Sequence, residues 1–124
     1  NKKIKEGDVM SRITDELSKY GCDMNTTLER FLGDEDFYEK CLIEMLGDSS
    51  FRELGEALEQ KNVKAAFESA HTLKGLAANM GLDSMLDIVV ELVEPLRNGM
   101  IDGLSPTYER LIAEKKTYDN IVNG

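Results

Sequence analysis

The chain has 124 residues with 24 acidic and 15 basic side chains, and its formal net charge is −9. This length is typical of one domain, and the acidic balance argues against a protein that binds the phosphate backbones of nucleic acids. No apolar run exceeds three residues, so the sequence predicts neither a membrane span nor an export signal, and we expect a cytoplasmic protein.

Apolar residues recur at helical spacing along the whole chain, and strict alternation of apolar and polar residues is almost absent. This pattern predicts an all-α protein. Three helices are expected in the first part of the chain. The first spans residues 9–20, with Asp8 as N-cap, with Met10, Ile13 and Leu17 facing inward, and with Gly21 ending it; the second spans residues 26–32 and is ended by Gly33. The third is capped by Asp34, runs to about Leu46 and is ended by Gly47.

Four further helices are expected in the second part of the chain. The first of these is capped by Ser49 or Ser50, and the second spans residues 63–80, is capped by Asn62 and ends at Gly81. The third is capped by Asp83, and Pro95 should kink or shorten it. The fourth opens with Ser105 as N-cap, followed by Pro106. Short connections favour antiparallel neighbours. We therefore predict one domain over residues 1–124: an antiparallel four-helix bundle at about residues 33–122, with additional helices in an N-terminal extension over residues 1–32.

The two cysteines are too few for a disulfide scaffold, and they lack the Cys/His spacing of a zinc site. Cys41 belongs to a stripe at helical spacing and is expected to be a core thiol; the stripe is Phe37, Tyr38, Cys41, Leu42 and Met45. Cys22 follows a predicted helix end and is expected to be an ordinary loop residue. No metal site is predicted.

His71 is the only histidine, so chemistry that needs an imidazole must use it. On a helical wheel at about 100° per residue with Val63 at zero, the apolar stripe ends with Phe67 near 40° and His71 lies at roughly 80°. The side chain is therefore expected to have its stem against the bundle and its ring in solvent.

The neighbours of His71 are unusual for a solvated helix face. Gly75 lies one turn further along, where a glycine costs about 1 kcal/mol relative to alanine; close approach of a partner to the imidazole would explain it, and so would close helix packing. Lys74, at i+3, brings a cation within reach of an anion on the imidazole. Glu68, one turn before, could orient the ring, although a solvated carboxylate is the simpler interpretation.

These features predict a histidine that accepts a phosphoryl group. An imidazole nitrogen is a nucleophile that needs no base to activate it. Phosphoryl transfer depends mostly on positioning and charge stabilisation, and Lys74 offers part of the latter. The alternative interpretation is an ordinary boundary histidine, which is common on amphipathic helices.

Residues 71–81, HTLKGLAANMG, resemble the signature of the histidine-phosphotransfer (HPt) domain: His, any, Leu, Lys, Gly, any, small, two of any, apolar, Gly. The resemblance covers about residues 28–98. It implies a four-helix bundle whose exposed His71 is phosphorylated on Nε2 and exchanges phosphoryl groups with aspartates of receiver domains, in response regulators or hybrid kinases. It also implies that Lys74 contacts the phosphate, that Gly75 leaves space for the receiver, and that the metal ion comes from the receiver, so no cofactor is expected in this chain.

One position departs from the family pattern. Many members place a Gln or Arg from the next helix near the phosphate, and the expected Gln position here is Val93. Arg97, one turn later, is the candidate replacement.

The resulting hypothesis is a monomeric, stoichiometric phosphoryl carrier rather than an enzyme. The alternatives are a non-catalytic helical adaptor, in which the histidine is incidental, and a kinase-linked phosphoacceptor domain similar to that of chemotaxis kinases.

Overall fold

The computed structural model describes residues 11–124, and within these residues it contains α-helices and no strand. The helices are α1 (Arg12–Lys19), α2 (Met24–Glu29), α3 (Glu35–Leu46), α4 (Ser50–Glu59), α5 (Val63–Met80), α6 (Asp83–Arg97) and α7 (Ser105–Asn123). The prediction of an all-α fold is confirmed.

Helices α4 to α7 form the four-helix bundle. Helix α5 packs against α4 on one side and α6 on the other, α6 packs against α7, and α7 also contacts α4. Each helix contributes fully buried aliphatic side chains to one continuous core, including Leu54, Leu73, Leu92 and Leu111. Burial of this apolar surface holds the bundle together and fixes the orientation of α5.

The first three helices pack at the end of the bundle where α5 stops. The buried Tyr38 hydroxyl of α3 donates a hydrogen bond of 2.7 Å to the carbonyl oxygen of Met80, and burial raises the pKa of this phenol. Directly after α1, the Tyr20 hydroxyl donates to Glu114 Oε2 at 2.7 Å. Helix α3 is thereby attached to α5, and α1 to α7.

Helices α3 and α5 begin at the predicted N-caps, whose side chains accept backbone hydrogen bonds. Asp34 Oδ1 accepts from the Phe37 amide at 3.0 Å, and Asn62 Oδ1 accepts from the Ala65 amide at 3.0 Å. Gly81 ends α5 in the left-handed conformation, with φ of +74°.

The starts of α1 and α2 differ from the predictions. Helix α1 is capped by Ser11, which accepts from the Thr14 amide at 3.1 Å, whereas the predicted cap Asp8 and the predicted helical residues 9–10 lie outside the described residues. Helix α2 begins two residues earlier than predicted and ends at Glu29. Its cap is Asp23, which accepts from the Thr26 amide at 3.1 Å.

Two other predicted caps are wrong, and that of α4 is correct in position only. Asp83 and Ser105 are the first residues of α6 and α7, and the cap positions hold leucines without side-chain hydrogen bonds. Ser49 holds the N-cap position of α4 as predicted, but its side chain makes no capping hydrogen bond; instead, the Ser50 amide donates to Asp48 Oδ2 at 3.0 Å. Helix α6 continues through Pro95 to Arg97, because a proline so close to the helix end removes only one of the last backbone hydrogen bonds.

The two cysteines are free and differ from the prediction in burial. Cys22 lies in the loop between α1 and α2, but it is part of the core, with its Sγ 3.9 Å from the Tyr118 hydroxyl. Burial raises the pKa of this thiol. Cys41 is only partly buried against the core, and Phe37 from the same predicted stripe is about half exposed (52%).

Candidate functional site

His71 lies near the middle of α5, on the face opposite to the buried side chains of that helix. The buried residues of α5 are Ala66, Ser69, Ala70, Leu73, Ala77 and Met80. The imidazole is exposed, and no residue in the range 11–124 forms a hydrogen bond with it. Both ring nitrogens are therefore available to a partner molecule.

The imidazole is stacked on Phe67, one turn earlier in α5. The two ring centroids are 5.6 Å apart and the ring planes differ by 29°. Phe67 is partly buried against the core, so it gives the exposed histidine a fixed aromatic neighbour. Phe67 was predicted only as part of the apolar stripe, although its i−4 spacing from His71 could have indicated the contact.

The surface beyond His71 is open. A Cβ built on Gly75 would have no heavy atom within 4 Å outside the neighbouring backbone of its own helix. Ala78, the next small residue on this side, is exposed. We call His71, Gly75 and Ala78 the open flank. Since nothing packs on Gly75 among the described residues, close helix packing does not explain this glycine.

Lys74 borders the open flank one turn beyond His71. It is partly buried, and none of the ion pairs among residues 11–124 involves it. Its stem therefore lies against the helix surface while its charge has no carboxylate partner within the described part of the chain. A cation in this position can interact with an anionic group attached to the imidazole.

The remaining predicted site residues make no hydrogen bond with the imidazole, and they differ in exposure and in their partners. Val93 is fully buried, so it cannot contact a group on exposed His71. The Arg97 guanidinium carbon lies 5.4 Å from the centroid of the Phe67 ring, and Nη2 lies 3.6 Å from Glu94 Oε2. Glu68 is exposed, makes no hydrogen bond with His71, and lines a groove between α4 and α5.

Comparison with models of protein families shows to which family the chain belongs. The family model described as "Hpt domain" matches residues 41–118, which is more than half of the chain. The chain belongs to the Hpt domain family. Hpt domains have a phosphotransfer role in the phosphorelays of two-component signalling, where they interact with receiver domains. A search of curated proteins and a search of solved structures each found no match.

The signature residues of this Hpt domain divide into structural and exposed positions. Leu73 and Met80 are buried in the core. Gly81 is left-handed, and a Cβ on it would collide with the Thr27 hydroxyl. His71 and Gly75, by contrast, are exposed, and a Cβ on Gly75 would meet nothing within 4 Å among the described residues. The structure thus accounts for Leu73, Met80 and Gly81 by packing and conformation.

Two further properties of the Hpt domain concern residues 11–124. In this range no group of three or more His, Cys, Asp or Glu side chains is arranged to hold a metal ion. None of the helices described is both long enough and apolar enough to cross a membrane.

Proposed function

We propose that this Hpt domain carries a phosphoryl group on Nε2 of His71 and exchanges it with aspartates of receiver domains. The observation that carries the proposal is the open flank: an exposed imidazole next to a helical glycine on which nothing packs. A receiver must bring its aspartate within bonding distance of the imidazole, and a side chain at position 75 would hinder that approach.

The transfer is a substitution at phosphorus. The lone pair of Nε2 attacks the phosphorus of the phosphoaspartate, and a phosphorus–nitrogen bond forms as the bond to the aspartate oxygen breaks. The carboxylate leaves with the bonding electrons, and Nδ1 retains its proton during the attack. Delivery to a second receiver is the same reaction in reverse. The divalent metal ion that neutralises phosphoryl charge belongs to the receiver in this proposal.

Two cations of the chain have roles in this reaction. Lys74 is the nearer one in sequence, and we assign its ammonium group to the phosphoryl oxygens, because no described carboxylate neutralises it. Arg97 is the second, since its guanidinium lies over the same Phe67 ring on which the imidazole stacks. Glu68 is left without a role, because it makes no hydrogen bond with the imidazole.

The proposed role is stoichiometric. Each chain would carry one phosphoryl group on its single histidine, with no turnover of its own. We expect a monomeric protein of the cytoplasm that meets response-regulator or hybrid-kinase receiver domains in transient complexes.

The test is a transfer assay with a panel of receiver domains labelled with radioactive acetyl phosphate. We expect at least one receiver to label the chain within minutes, and His71→Gln to remain unlabelled with an unchanged circular dichroism spectrum. Labelling of His71→Gln would exclude His71 as the acceptor. Binding of receivers without labelling of the natural chain would instead favour a non-catalytic adaptor.

A further inference from the structure

Arg30 anchors the segment after α2 to the end of the histidine helix. Its Nε donates to the carbonyl oxygen of Asn79 at 3.2 Å, and its Nη2 donates to the carbonyl oxygens of Ala78 at 3.0 Å and Asn79 at 2.9 Å. Arg30 precedes the segment 41–118 that matches the family model. This contact is therefore made by a part of the chain outside the match.

The carbonyl groups at the end of α5 and the dipole of that helix hold this guanidinium in place. The last carbonyl groups of an α-helix lack amide partners within the helix, and a cation at this end is favoured by the helix dipole. Arg30 donates to two carbonyls in the last turn of α5: that of Asn79, and that of Ala78 of the open flank, which also accepts from the Gly81 amide at 3.2 Å. The cation is thus held at the border of the surface that surrounds His71.

The guanidinium retains unused donors. It carries five N–H groups, of which the three on Nε and Nη2 are directed to α5. No described residue accepts from Nη1, and no described carboxylate forms an ion pair with Arg30, which is exposed. In a chain with a net charge of −9, this cation is complementary to a carboxylate presented by a partner.

Arg30 is close enough to His71 to be covered by the same partner. Ala78 is seven residues beyond His71, which corresponds to about 10 Å along the helix and roughly 20° around it. A transient protein interface buries up to about 600 Å² on each partner, equivalent to a disc of about 14 Å radius. A partner centred on His71 would therefore reach the guanidinium.

We propose that Arg30 is a recognition residue for the receiver domain, and that its Nη1 donates to a carboxylate on the receiver surface, toward the edge of the interface and away from the phosphorylated aspartate. This inference rests on the proposed function. Arg30 would act on docking and not on the reacting atoms, since its side chain is held at Ala78 and Asn79.

The experiment compares Arg30→Gln with the natural chain in receiver-dependent transfer. In single-turnover transfer, we expect the receiver concentration that gives half the maximal rate to rise about tenfold for Arg30→Gln with the maximal rate little changed, and the difference to shrink as ionic strength increases. Direct labelling of His71 by phosphoramidate, a small donor that needs no docking, should be the same for both proteins. Arg52→Gln is the matched control, because Arg52 is an exposed arginine of α4 that pairs with Glu56.

Three outcomes would overturn the inference. The first is a half-saturating receiver concentration for Arg30→Gln equal to that of the natural chain. The second is an equal loss of phosphoramidate labelling and of receiver-dependent transfer, which would mean that the anchor only maintains α5. The third is the absence of rescue when Arg30→Glu is paired with receivers whose surface carboxylates are replaced by arginine. Failure of the natural chain to accept phosphate from any receiver is a separate result that rejects the proposed function itself.

Discussion

Two glycines inside neighbouring helices have opposite surroundings. A Cβ on Gly55 of α4 would lie 2.5 Å from the Tyr108 hydroxyl and 2.8 Å from its Cζ, whereas a Cβ on Gly75 of α5 would meet nothing within 4 Å. Gly55 lets Tyr108 of α7 approach α4 and donate a 2.8 Å hydrogen bond to the Phe51 carbonyl oxygen. The bundle therefore needs Gly55, while Gly75 weakens its own helix by about 1 kcal/mol for no contact within the described chain.

Filling the space at Gly75 is the strongest test of this contrast. We expect Gly75→Gln to slow receiver-dependent transfer about a hundredfold, because the added side chain occupies the space into which the receiver must move. Phosphoramidate labelling of His71 should change less than about twofold, since a small donor needs little room. Rates from rapid-quench labelling measure both effects.

The matched control for Gly75→Gln is Thr72→Gln. Thr72 is an exposed residue of α5 that lines the groove toward α4, so the same side chain is added to the same helix away from the open flank. Transfer to Thr72→Gln should proceed at the natural rate. Equal slowing by both substitutions would show that position 75 has no special importance for access.

Removing the cation next to the open flank should have the next largest effect. We expect Lys74→Ala to slow transfer about tenfold, equivalent to about 1.4 kcal/mol of transition-state stabilisation, because one positive charge near the phosphoryl oxygens is lost. The free energy of unfolding should change by less than about 0.5 kcal/mol, as is usual for surface substitutions. Lys64→Ala, an exposed lysine two turns before His71, is the control. An equal rate for Lys74→Ala and the natural chain would remove Lys74 from the site.

Local chemistry explains which features the sequence could predict. The limits of α5 depend on Asn62 and Gly81, whose hydrogen bond and left-handed conformation are properties of the nearest few residues. The exposure of His71 followed from the helical period alone. These features required no knowledge of how distant segments pack.

Features that depend on contacts between distant segments were not predicted. Cys22 becomes buried because Tyr118, far along the chain, packs beside it. Arg97, whose guanidinium lies over the Phe67 ring, belongs to α6, and Arg30, which donates to the last carbonyls of α5, belongs to the segment after α2. For Gly75, the sequence left access and packing both open, and the empty space around its Cβ position decides between them.

A paired substitution by alanine tests the contrast through stability. Gly75→Ala should raise the free energy of unfolding by up to about 1 kcal/mol, because alanine favours the helix and meets nothing. Gly55→Ala should lower it by about 1 kcal/mol, since overpacking against Tyr108 costs about 1–3 kcal/mol and exceeds the gain in helix propensity. Urea denaturation measures both changes. Shifts of the same sign in the two variants would contradict the difference in their surroundings.

The smallest effect is expected for the aromatic neighbour of His71. Phe67→Leu retains an apolar side chain against the core but removes a stacking contact worth about 0.5–1.5 kcal/mol. The imidazole should then sample more orientations, and transfer should slow about threefold. The imidazole proton resonances should also shift, because the ring current of Phe67 is lost, and Phe67→Tyr should restore both the rate and the shift. A shifted resonance with an unchanged rate would mean that stacking fixes the ring without aiding the reaction, and the open space at Gly75 would then matter more than the orientation of the imidazole.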